Sequence, residues 1–234
     1  AISTAAIISN NRITPAFGVG WSRDEFELMQ QDFTTRGTRA DEMIEVMRLL
    51  WSGEMVSYQG KHYQFEPMEM NPAPSAKIPI WIGGISEPAM RRAARVADGW
   101  VSDLQPSAEI VESIDKIKTW RKEYGRDSDG FEVMATPSDA WDVEGYKRLE
   151  DAGAFAVVLE CVNPWPLTRD MFAAAAAAAG CPCVDVELIC SDAAEHRRRV
   201  ETRASDIPGL VLPTWQQVVE RDYRPWERER TVLD

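Results

Sequence analysis

Short apolar runs alternate with longer stretches of helical spacing through most of this 234-residue chain. Ile78, Ile80 and Ile82, with Trp81 among them, form one such run, closed by Gly83 and Gly84. A β-branched apolar run ending in glycine predicts a parallel strand buried on both faces. Ser86 then stands at an N-cap position and Pro88 suits a first helical turn, so a helix should follow, with a second strand reaching Val101. Residues 107–124 read as a long amphipathic helix closed by Gly125, 131–135 as a strand, 143–152 as a helix and 154–160 as a strand. This alternation predicts an α/β fold with a parallel sheet.

The flanking segments are less regular. Residues 12–20 read as a strand ending in Gly-Val-Gly, shortened by Pro15. Ser22 and Glu25 have capping-box spacing, so a helix should begin after Trp21. A second helix is expected over 35–51, with Met43, Met47, Leu50 and Trp51 on one face; these read as core packing. Residues 54–65 alternate around Gln59-Gly60, as a hairpin would, and 67–79 form a proline-rich loop. The pattern breaks near Pro164-Trp165-Pro166. Seven consecutive alanines, 173–179, then favour helix but provide no amphipathic face. Strands are expected over 184–190 and 231–233, and helices over 192–203 and 215–221.

The formal net charge of −12 argues against nucleic acid and anionic membranes as partners, because phosphate neutralisation needs clustered Lys and Arg. No apolar run reaches membrane-spanning length, and no signal-peptide pattern opens the chain. Cys181-Pro-Cys183 has the wrong spacing for a metal knuckle, and His62 and His196 are far apart, so no metal site is expected. Cys161, Cys181, Cys183 and Cys190 read as idle thiols of a cytoplasmic protein.

The chemistry concentrates at the glycine turn. Gly83 and Gly84 let the backbone turn sharply and approach a ligand with no Cβ in the way. A helix N-terminus at the carboxyl end of a parallel strand has free N–H groups and a dipole that favour an anion such as phosphate. An ordinary strand-to-helix connection has the same appearance. No catalytic acid or base stands out. His62 reads as a hairpin residue, and Asp24 and Glu25 as helix-start residues.

Three blocks carry a wider likeness: SNNRITPAFGVGWSRDEF over 9–26, RADEMIEVMRLLW over 39–51 and IPIWIGGISEPAMRRAARVADGW over 78–100. Together they make residues 1–165 resemble the luciferase-like monooxygenase family, in particular its branch that uses the deazaflavin coenzyme F420. The resemblance implies a partial (β/α)8 TIM-barrel-like parallel sheet, with the site at the carboxyl ends of the strands and two or three further strands ahead of Ala1. It implies coenzyme F420 or FMN as cofactor and a small-molecule substrate, and leaves a homodimer open. It places the cofactor phosphate on Gly83, Gly84, Ile85 and Ser86. Gly18, Gly20 and Trp21 would line the pocket, and Asp98, Gly99 and Trp100 would approach it from the next strand.

Residues 181–234 resemble the carboxyl-terminal part of a P-loop kinase of the AAA-ATPase-like type, through VELICSDAAEHRRRVETR over 186–203 and DIPGLVLPTW over 206–215. That resemblance matches Arg197, Arg198, Arg199 and Arg203 to a phosphate-clamping lid. A charged helix face with Glu195 and Glu201 as partners is the alternative. No Gly-x-x-x-x-Gly-Lys loop occurs, and no Lys follows Lys147. The expected organisation is a luciferase-like domain over 1–165, an Ala-rich linker or helix over 166–180, and an α/β extension over 181–234 that covers a sheet edge. The expected function is a flavin- or F420-dependent oxidoreductase. A phosphotransferase remnant and a non-catalytic fusion are the alternatives.

Overall fold

The computed structural model describes residues 1–139, 142–158, 165–203 and 212–234. The chain divides into two compact units, Ala1–Ala140 with Lys147–Glu160, and Trp141–Tyr146 with Cys161–Asp234.

The first unit is built on an all-parallel five-stranded sheet. Its strands are β1 (Ala16–Phe17), β4 (Trp81–Gly83), β5 (Gly99–Val101), β6 (Glu132–Ala135) and β7 (Ala156–Val157), side by side in that order. Helices α4 (Glu87–Val96), α5 (Ser107–Glu123) and α6 (Val143–Asp151) connect successive strands from β4 onward. Between β1 and β4 lie α2 (Arg23–Leu28), a 3₁₀ turn (Phe33–Thr35), α3 (Arg36–Leu50) and the antiparallel hairpin β2 (Val56–Gln59) with β3 (Gln64–Met68). Helix α1 (Ile2–Ile8) opens the chain.

Period-two alternation assigns the two sheet faces. Ile80, Ile82, Trp100, Val133 and Ala135 join the main core with Ile44 of α3, Met90 and Ala93 of α4, and Ile110, Ile114 and Ile117 of α5. Trp81, Gly83, Gly99 and Val101 occupy the intervening positions on the other face. Trp81 is only 6% exposed, so β4 is buried on both faces as its unbroken apolar run predicts.

Several expectations shift in detail. The strand in 12–20 is two residues long, because Pro15 precedes the only stretch that pairs with β4. Ser22 caps α2 by accepting the Glu25 N–H at 3.4 Å. On α3, Ile44 is the buried anchor, with Met47 and Trp51 packed against the core. The expected strand over 154–160 is Ala156–Val157 among the described residues, and 159–160 lie outside them.

In the second unit the alanine run lies inside α7 (Pro166–Ala179), closed by Gly180 at φ +74°. Left-handed φ at a helix end suits glycine. Strands β8 (Val186–Leu188) and β9 (Thr231–Leu233) pair in parallel with each other in a two-stranded sheet of their own. Helices α8 (Ala193–Thr202) and α9 (Trp215–Val219) lie between them in sequence. Arg169 of α7 is 3% exposed and donates to the carbonyls of Arg224 (2.6 Å) and Pro225 (3.2 Å), with its guanidinium 4.3 Å from the Trp226 ring centroid.

Candidate functional site

The segment from Gly83 to Ser86 turns the chain from the end of β4 into α4. Gly84 adopts φ +118°, which other residues rarely tolerate, and a Cβ there would come 3.2 Å from Ala89 Cβ. Gly83 differs: a Cβ built on it meets nothing within 4 Å. Ser86 is the N-cap residue of α4 by position, but its side chain makes no capping hydrogen bond, and Pro88 lies in the first turn. The free N–H groups of this ten-residue helix therefore remain available to a ligand. Glu87 would oppose an anion here, but its carboxylate is engaged by Arg91 Nε at 2.7 Å. Ile85 is 45% exposed.

Gly18, Gly20 and Trp21 follow β1, which lies beside β4 with Phe17 opposite Ile82, so both loops open on the same sheet edge. Gly18 also has open space at its Cβ position, Gly20 holds φ +82° against the Phe26 ring, and Trp21 is 75% exposed. Together the Gly83–Ser86 backbone and the Gly18 loop leave room that side chains would fill. This arrangement fits a phosphate-bearing cofactor such as F420 or FMN.

Gly99 and Trp100 are placed differently. A Cβ on Gly99 would lie 2.5 Å from the Trp81 indole, so glycine is required there for strand packing. Trp100 is fully buried, and its indole N–H donates to the Gly84 carbonyl at 2.9 Å. It braces the glycine turn from beneath. Asp98 lies at the opposite, amino end of β5. It accepts from Arg48 Nη2 (3.0 Å), the Ile80 N–H (3.0 Å) and Lys77 Nζ. Burial penalises its charge, but the hydrogen bonds from Lys77, Ile80 and Arg48 prevail and hold the carboxyl below its usual range. Its role is structural.

His62 is a hairpin residue. Its Nε2 lies 2.8 Å from Thr38 Oγ1, while Glu42 accepts the N–H groups of Lys61, His62 and Tyr63. A Cβ on Gly60 would strike that Glu42 carboxylate, which explains the Gln59-Gly60 turn. No group of three or more His, Cys, Asp or Glu suited to a metal occurs among the described residues.

Sequence reasoning missed two features on the same sheet edge. Ser102 and Thr136 join the ends of β5 and β6: the Thr136 N–H donates to Ser102 Oγ at 2.8 Å, and Thr136 Oγ1 to the Ser102 carbonyl at 2.9 Å. The second is a group of guanidinium ions around Phe26 and Phe33. Isolated Ser, Thr and Arg residues in loops carry no periodic signal. The kinase-matched arginines of α8 are paired within their own helix, Arg197 with Glu201, and Arg198 and Arg199 with Glu195. The described part of the tail thus follows the charged-face reading, and 206–211 of the second kinase block lie outside the described residues.

The family profile of luciferase-like monooxygenases matches residues 1–152. An uncharacterized protein of Mycobacterium tuberculosis (strain ATCC 25618 / H37Rv) is 38% identical over 170 residues, covering 72% of this chain and 57% of the relative. The FMNH(2)-dependent dimethylsulfone monooxygenase of Pseudomonas fluorescens (strain Pf0-1) is 28% identical over 120 residues, 50% of this chain and 33% of the relative. Thus the chain spans about half the length, or less, of the curated relatives it matches. Among solved structures, an F420-dependent secondary alcohol dehydrogenase in complex with an F420-acetone adduct superposes with a TM-score of 0.63 at 15% identity, over 76% of this chain and 72% of that one. The α/β fold with its parallel sheet therefore matches an F420-dependent neighbour. These comparisons lend no support to the kinase resemblance of the tail.

Proposed function

The chain belongs to the luciferase-like monooxygenase family, and we propose that it forms the phosphate-binding side of an F420- or FMN-dependent oxidoreductase site acting on a small molecule. The observation that carries this reading is the Gly83–Ser86 turn, open at Gly83 and feeding the uncapped N-terminus of α4. The Ser86 N–H and the first N–H groups of α4 would hold the cofactor phosphate. Gly83 and Gly84 would let it approach the backbone, with the Gly84 N–H itself donating to the Val101 carbonyl, and the Gly18 to Trp21 loop would border it. When bound, such a cofactor supplies hydride transfer or oxygen chemistry. The protein's task is to bind and orient it, which agrees with a site that offers no obvious acid or base. Exposed Ile8, Leu28 and Met29 support a homodimer as part of the same reading, checked by light scattering. The free thiols of Cys181, Cys183 and Cys190 support a cytoplasmic location, checked by fractionation.

The test is Gly83→Val. Its side chain would enter open space, so the fold should survive, while the ligand's approach is blocked. Titration with F420 and with FMN should show binding at least about tenfold weaker than in the parent chain, at an unchanged melting temperature, since a clash at a close backbone contact outweighs one hydrogen bond. Unchanged affinity for both cofactors would remove the site assignment.

A further inference from the structure

Three guanidinium groups gather beside the loop that follows β1. The Arg36 guanidinium lies 3.7 Å from the Phe33 ring centroid, and that of Arg23 lies 4.7 Å from the same ring. Arg39 lies 5.8 Å from the centroid of Phe26, which meets Phe33 edge-on at 5.3 Å. The Phe26 ring is also the surface on which Gly20 rests. The cluster is thus continuous with the Gly18 to Trp21 loop, on the sheet edge that carries the Gly83–Ser86 turn.

Like charges held this close repel, so compensation is expected. Elsewhere the protein provides it: Arg92 and Arg95 share Asp41, and Arg48 has Asp98. Among the described residues, Arg23, Arg36 and Arg39 have no carboxylate oxygen within 4.0 Å. Asp32 compensates in part: the Thr34 hydrogen bonds first, and the charges of Arg39 and Arg23 after them, hold its carboxyl below the usual range. Its Oδ1 is taken by the Thr34 N–H at 2.8 Å and the Thr34 hydroxyl at 2.7 Å, and it forms no direct ion pair with the cluster. Arg36 donates to the Phe33 carbonyl and Arg39 to Gln31 Oε1, and Arg36 Nε is buried with no hydrogen-bond partner. A guanidinium offers five N–H donors, so most of these are uncommitted. The aromatic rings hold the planar groups in place, which lowers the entropy lost when an anion is bound.

We infer that Arg23, Arg36 and Arg39 receive carboxylates carried by the cofactor beyond its phosphate, and so select coenzyme F420, with its γ-glutamyl tail, over FMN. The inference rests on the proposed function. Both cofactors present a phosphate to the glycine turn, but only the deazaflavin continues past it into a chain of carboxylates. Planar N–H forks match carboxylates better than they match the neutral hydroxyls the two cofactors share.

The experiment measures dissociation constants by fluorescence titration of three probes: F420, FMN, and the deazaflavin riboside without phosphate or glutamates. The intact chain is compared with the triple variant Arg23→Gln, Arg36→Gln, Arg39→Gln and with Arg39→Gln alone, which leaves the Phe33 stack in place. F420 should bind roughly tenfold or more weakly to the triple variant and a few-fold more weakly to the single one, as expected for partly exposed charge-assisted contacts. FMN and the riboside should change little, and the parent's affinity for F420 should fall with added salt more than its affinity for the riboside. Equal losses for F420 and FMN, or no loss for F420, would overturn the inference while leaving the cofactor site standing. Tighter binding of FMN than of F420 by the parent chain would do the same. If the parent binds none of the three probes, the proposed function falls, and this inference with it.

Discussion

At the amino end of the central strands, Asp98 is saturated: a guanidinium, an ammonium and a backbone N–H all converge on one carboxylate. At the carboxyl end, Gly83 faces open space and the start of α4 lacks a side-chain cap. Both ends belong to the same β4–β5 pair. The difference lies in where polar groups find partners. At the amino end they find each other, and the result is stability. At the carboxyl end no side chain caps the start of α4, so its first N–H groups are left to solvent or to a ligand. The cavity of about 370 Å³ bordered by Arg48, Trp51, Lys77 and Ile78 lies on the saturated side and does not include the glycine turn.

The sharpest way to break this division is through Trp100, which connects the buried core to the open turn. Trp100→Phe removes ring volume from a fully buried position and leaves the Gly84 carbonyl without its indole donor. A cost of about 2–3 kcal/mol is expected from the cavity and the lost bond together. Cofactor affinity should fall as well, because the turn is no longer braced. Urea unfolding and a cofactor titration measure the two. Stability lost with affinity intact would show that the turn holds its shape without Trp100.

Asp98→Asn tests the other end and should do the opposite. The substitution keeps the shape but leaves Arg48 and Lys77 facing a neutral amide. Both cations are partly exposed, so the cost should be about 1–2 kcal/mol, and cofactor binding should not change. The sign with pH follows from the lowered carboxyl. A group whose folded value is depressed adds stability above its ordinary range, and that stability disappears as pH falls below it. The parent should therefore lose more stability than the variant on acidification. Parallel acid-unfolding curves for the two proteins would contradict this.

Much of the saturated framework was readable in the chain. The apolar run at Ile78–Ile82 and the 107–124 periodicity announced β4 and α5, because burial writes itself into hydrophobic spacing. The glycine turn was readable too as a strand-to-helix connection, since Gly-Gly ahead of Ser and Pro ends a strand and starts a helix. Three things were not. The Arg23, Arg36 and Arg39 cluster depends on the 3₁₀ turn that carries Phe33, and no periodicity marks it. The packing role of Gly99 depends on Trp81 across the strand, a non-local contact. The pairing of β8 with β9 joins residues far apart in sequence, Val186 with Thr231 and Leu188 with Leu233, and Ser191 donates to Asp234 43 residues on. Apolar character alone could not tell that they would pair with each other.

The smallest effect is expected in α8, where sequence resemblance and structure part most clearly. Glu195 accepts from Arg198 at 2.6 and 2.7 Å and from Arg199 at 2.7 Å, and these hydrogen bonds bring its carboxyl down to about 2. Whatever stability the pairs give is present above the ordinary glutamate value of 4.5 and is lost between there and about 2. Both arginines are exposed and Glu195 is partly so, and surface pairs of this kind contribute little. Glu195→Gln should leave the melting temperature at neutral pH nearly unchanged, and carbon-detected NMR of the parent should place the Glu195 titration near pH 2. The same spectra serve against a phosphate-clamping role. Arginines already paired within a helix should show no shift of their guanidinium signals on addition of ATP with Mg²⁺. Saturable shifts at Arg197, Arg198 and Arg199, together with release of phosphate, would restore the kinase reading for the tail.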